Sequence, residues 1–88
     1  MKTMQIASGV LALEDVKKEV LEFCQEPHSR ADILEHIQVQ LNSENYNRYV
    51  AALVNQRYIK SDLLRNRNST KQKYVITQKG LNYLKAIY

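Results

Sequence analysis

Apolar residues fall at helical intervals over the first two thirds of the chain. Leu13, Val16, Val20, Phe23 and Cys24 recur at steps of three and four, with Glu14, Asp15, Lys17, Lys18, Glu19 and Glu22 on the other side. That spacing predicts one amphipathic helix. The acids at its start suit the positive end of the helix dipole, and Pro27 ends it by pushing the preceding residue out of the α region. A second helix follows at Ser29-Arg30-Ala31-Asp32, where a hydroxyl N-cap precedes an acid by three positions. Its inner stripe is Ile33, Leu34 and Ile37. Residues 38–42 form a short connection, with Leu41 expected to point inward. The third helix opens at Asn42 or Ser43, both good caps. It turns Tyr46, Tyr49, Val50, Leu53 and Val54 inward and Glu44, Asn45, Asn47, Arg48, Ala51 and Asn55 outward.

Beyond Tyr58 the helical period is lost. Residues 59–64 and 73–76 read as strands, separated by a polar, basic, turn-forming stretch over 65–72. Thr77 caps a last helix with Leu81, Leu84, Ile87 and Tyr88 as its apolar positions. Residues 1–12, interrupted by Gly9, read as an N-terminal extension, either a turn of helix or partly disordered, and 13–88 as one domain. The fold class expected is α+β and mostly helical: a three-helix core, a two-stranded β-hairpin wing and a C-terminal helix.

Charge changes this picture more than composition does. The net charge is +4, yet residues 1–56 carry five Lys/Arg against eight acids, a balance of −3. Residues 57–88 carry eight Lys/Arg against Asp62 alone, a balance of +7. A basic half on a small domain fits a polyanionic partner, or else a solvated face. The hydrophobic share of 44% is too high for intrinsic disorder. The longest apolar run, Tyr49 to Val54, is far short of the roughly 20 residues a membrane helix needs. One cysteine and no apolar leader agree with a reducing, cytoplasmic setting.

Two helices joined by a tight turn and followed by a hairpin is the order of a winged helix-turn-helix, and the residues resemble that family from about Leu13 to Tyr88. Ser29-Arg30-Ala31-Asp32-Ile33-Leu34 looks like its second-helix opening. Leu41, Leu53-Val54 and Tyr58-Ile59 look like the frame of its recognition helix and strand entry. Tyr74-Val75-Ile76-Thr77-Gln78-Lys79-Gly80 is similar to the closing motif of many bacterial and archaeal members. The nearest flavour is that of MarR-like regulators and of the C-terminal winged helices of Fic-type and RecG-like ATP-binding regulators. One departure stands out. Family members usually place a glycine just after the recognition helix, and here Arg57 occupies that position.

The resemblance implies a double-stranded DNA-binding module, a transcriptional regulator or its DNA-binding domain. Helix 43–55 would lie in the major groove. Asn45, Asn47 and Arg48 have the chemistry to meet adenine, guanine or phosphate, and Ser43 at the helix start could hold a phosphate. Arg65, Arg67, Lys71 and Lys73, in the wing over 65–73, would reach phosphates or the minor groove. Arg30 would add a phosphate contact. The competing reading of the α-helical and wing residues is an ordinary solvated face. A homodimer through the terminal helices, with Val10, Leu11, Leu84, Ile87 and Tyr88, would demand a palindromic site. The alternative reading is a winged helix used for protein–protein docking in a larger assembly, which the nearly neutral outer face of helix three favours and the basic wing opposes.

Other chemistries find little in the chain. Tyr46, Tyr49, Tyr58, Tyr74 and Tyr83 read as core rather than as stacking platforms for single strands. Cys24, His28 and His36 lack zinc-ligand spacing, with Cys24 expected to be a buried small hydrophobe and the histidines surface or turn residues. No Gly-rich phosphate loop, nucleophile elbow or carboxylate pair is visible. No catalytic residue, metal, cofactor, membrane or small-molecule substrate is expected.

Overall fold

The computed structural model describes residues 12–62 and 72–88. Helix α1 spans Leu13–Phe23, strand β1 His28–Ser29 and helix α2 Arg30–His36. The third helix, α3, runs without a break through an opening turn Ser43–Asn45, a π-helical stretch Tyr46–Ala51 and a closing turn Ala52–Asn55. Strands β2 (Ile59–Asp62) and β3 (Lys73–Ile76) follow, and helix α4 (Gln78–Ile87) closes the chain. The fold is α+β and mostly helical, four helices beside a small antiparallel sheet of order β1-β3-β2.

The capping expected from the sequence is in place at three helices. The Asp32 amide donates to Ser29 Oγ at 3.1 Å, the Asn45 amide to Asn42 Oδ1 at 2.8 Å, and the Gly80 amide to Thr77 Oγ1 at 3.1 Å. Each satisfies an amide that the helix itself leaves without a partner. Strands β2 and β3 pair in the register Ile59↔Ile76 and Asp62↔Lys73. Strand β1 adds a third strand that the apolar pattern does not announce, pairing His28 with Tyr74 and Ser29 with Lys73. Two residues beside Pro27 are too short for a period-2 signal.

The core gathers Val16, Val20, Leu21, Cys24, Ile33, Leu34, Ile37, Tyr49, Val50, Leu53, Ile59, Tyr74 and Leu84. Three expectations are revised around it. Lys17, read as an outer-face residue, is buried: its ammonium lies 3.9 Å from the ring centre of Tyr58 and 4.4 Å from that of Tyr83. The long stem packs as an apolar group, and the two ring faces supply the attraction for its charge. Leu41, expected inward, is 61% exposed. Gln38 turns the chain with a φ of 63°, Val39 packs against the core, and the Asn45 side-chain amide holds the Gln40 carbonyl at 2.9 Å, so Leu41 projects outward. His36 is exposed and His28 half-buried, and they stack on either side of the Phe23 ring, His28 at 3.7 Å and His36 at 4.1 Å between ring centres. Leu84 belongs to the core, so Ile87 and Tyr88 are the large apolar residues exposed at the end of α4 for a dimer contact. Val10 and Leu11 lie outside the described residues.

The end of α3 explains the closing motif. Arg57 takes a left-handed φ of 69°, the conformation for which glycine is usually chosen. The Thr77 hydroxyl donates to the Arg57 carbonyl at 2.6 Å and the Thr77 amide to the Tyr58 carbonyl at 3.0 Å. Lys79 Nζ donates to the Gln56 carbonyl at 2.9 Å. Thr77 and Lys79 thus satisfy carbonyls that the end of α3 and the turn after it leave open. The wing strands are thereby fixed in angle to α3.

Candidate nucleic-acid interface

The site residues begin with α2 and α3, which meet at the 38–42 connection. Their facing ends form a groove of about 490 Å³. Ala31, Leu34, Leu41 and Tyr46 give it an apolar lining, and Arg30, Asn42, Ser43 and Asn47 its polar edge. The structure therefore brings three of the expected residues, Arg30, Ser43 and Asn47, to one concave surface. Arg30 is exposed, its guanidinium 4.9 Å from the ring centre of Tyr46. Tyr46 in turn shares a hydroxyl–hydroxyl hydrogen bond of 3.1 Å with Tyr74 of β3. Burial, and then that hydrogen bond, push the Tyr74 hydroxyl up to about 12, so it stays protonated and can donate. An aromatic chain thus runs from the wing through α3 to the guanidinium at the start of α2.

The remaining α3 residues are engaged. Asn45 caps the connection through Gln40, and its Oδ1 accepts from Arg48 Nη1 at 3.5 Å. Arg48 Nη2 donates to Glu44 Oε2 at 3.1 Å, one turn back. This i,i+4 pair is legible in the sequence, and it leaves the exposed side of α3 close to neutral. Asn47 is exposed and has no hydrogen-bond or ionic partner among the described residues.

On the sheet, Lys73 is exposed and stands opposite Asp62 on one side and Ser29 on the other, in the row next to Arg30. Arg65, Arg67 and Lys71 lie outside the described residues. Lys60, Arg57 and Lys79 add exposed positive charge near β2 and the end of α3. Nothing in the apolar pattern singles these three out. Among the described residues there is no cluster of three or more His, Cys, Asp or Glu that could hold a metal ion. None of the described helices is long and apolar enough to cross a membrane.

A family model described as winged helix-turn-helix matches residues 14–88. The chain belongs to that family. Its helix-turn-helix is α2, the 38–42 connection and α3, and its wing is built on β2 and β3. No curated protein and no solved structure matches the winged helix-turn-helix chain closely enough to narrow the assignment further.

Proposed function

We propose that the chain binds double-stranded DNA, as a transcriptional regulator or as the DNA-binding part of one. The observation that carries this reading is the balance of +7 over residues 57–88, set on a winged helix-turn-helix frame. Helix α3 enters the major groove and orients the protein, with Asn47 toward base edges and Ser43 and Arg30 toward phosphates. The wing, with Arg65, Arg67, Lys71 and Lys73, supplies most of the sequence-independent affinity. Arg48 and Asn45 act inside the protein first, holding the helix start in shape. The chain's overall resemblance to MarR-like regulators supports a regulatory role, and the exposed Ile87 and Tyr88 support pairing of two chains through their C-terminal helices. No catalytic step is assigned to the chain.

One observation favours the alternative of protein docking: the Glu44–Arg48 pair neutralises the face of α3 that would meet DNA. Titration with a short random-sequence duplex at two salt concentrations, followed by NMR shifts, separates the two. Salt-sensitive binding with shifts at 30, 43–47 and 65–73 supports the DNA reading. Silence at low salt removes it and leaves docking.

A further inference from the structure

Leu41 occupies an unusual place for a large aliphatic side chain. It stands immediately before the N-cap Asn42, where an apolar residue ordinarily staples itself to the fourth residue of the helix, here Tyr46. Instead it is 61% exposed, and the groove opens between Leu41, Tyr46 and Leu34. Asn47 and Ser43 share that groove, and Asn47 is exposed with no hydrogen-bond or ionic partner among the described residues. The one arginine on α3, Arg48, pairs with Glu44 at 3.1 Å and donates to Asn45 at 3.5 Å, and it does not line the groove.

We infer that α3 reads A·T base pairs, with Asn47 on the adenine edge and Leu41 against the thymine methyl. The inference rests on the DNA-binding reading and adds the class of sequence. In the major groove adenine offers an acceptor at N7 and a donor at N6, which match the two ends of a carboxamide, and thymine is the base that presents a methyl group. Guanine is read best by a bidentate arginine or lysine. Arg48 pairs with Glu44, and Ala51 and Ala52 offer no second cation. An exposed leucine and an exposed asparagine lining one groove are therefore matched to an A·T step and unmatched to G·C. The apolar lining also gives the methyl a surface that removes it from water.

The test is selection by the full 88-residue chain from a random duplex pool, then titration of the recovered duplex against a copy with deoxyuridine in place of thymine. The account expects an A·T pair at the selected centre and roughly fourfold weaker binding of the deoxyuridine copy, the loss of one buried methyl. Leu41→Ala, a change at an exposed position, removes the difference between the two duplexes. Asn47→Ala weakens binding to the selected duplex by roughly tenfold while leaving random duplex almost unchanged. Recovery of a G·C-centred site, no recoverable preference, or equal binding of both duplexes by the unaltered chain overturns the inference and leaves DNA binding intact. Absence of binding to any duplex at low salt overturns both.

Discussion

Gly80 lies so close to Tyr58 that a β-carbon on Gly80 would meet the Tyr58 carbonyl oxygen and Ile76 Cγ1, each at 2.5 Å. The first turn of α4 can approach the end of the helix-turn-helix only because no side chain intervenes. Since glycine inside a helix normally costs about 1 kcal/mol relative to alanine, Gly80→Ala would be stabilising on propensity alone. The contact reverses that sign. Gly80→Ala is expected to destabilise the fold by about 1–3 kcal/mol, read as a lower denaturation midpoint at unchanged slope. A higher midpoint would show that the approach is slack.

Lys17 sits between the rings of Tyr58 and Tyr83 with its stem packed in the interior. If packing of the stem dominates, Lys17→Met keeps stability within about 1 kcal/mol and Lys17→Ala costs about 2 kcal/mol or more. Equal losses in the two variants would mean that the charge over the rings carries the contribution.

Cys24 is fully buried, and burial pushes its thiol from an ordinary 9.0 up to about 12. The folded protein therefore keeps a proton that the unfolded chain releases above pH 9. The associated stability is complete below that pH and declines as pH rises from 9 toward 12. A thiol reagent at pH 8 is expected to label Cys24 only at the rate of unfolding. Rapid stoichiometric labelling of the native protein would contradict this burial.

Glu44 restrains Arg48 and places a negative charge on the face of α3. Glu44→Gln releases the guanidinium and removes repulsion toward phosphates. Nonspecific duplex affinity is expected to rise several-fold at low salt, with a slope steeper by about 1. Unchanged affinity would mean that this face of α3 stays clear of the duplex.

Much of the frame was legible because three of the four described helices announce their own start. Ser29, Asn42 and Thr77 cap where their side chains suggest, and the inner stripes of α1, α2 and α3 follow the helical period. Arg57 adopts the left-handed turn at the position where the family places glycine, so the departure in residue type is no departure in backbone. What escaped the pattern depended on groups far apart in the chain. Lys17 is buried because Tyr58 and Tyr83 arrive beside it, and β1 exists because β3 has a free edge. Leu41 is exposed because Val39 and the Asn45–Gln40 clamp set the path of the turn, a matter no hydropathy value encodes. The groove residues Arg30, Ser43 and Asn47 were individually nameable, and their convergence required the angle between α2 and α3.

The most direct test of DNA binding compares the salt dependence of duplex affinity for the unaltered chain and for the variant with Arg65, Arg67, Lys71 and Lys73 all changed to alanine. Each phosphate contact contributes about 0.9 to the slope of log affinity against log salt, so the account predicts a slope shallower by about 3.6 and weaker binding on every sequence. Weaker binding with an unchanged slope, or no change in either, would contradict a wing that grips the phosphate backbone.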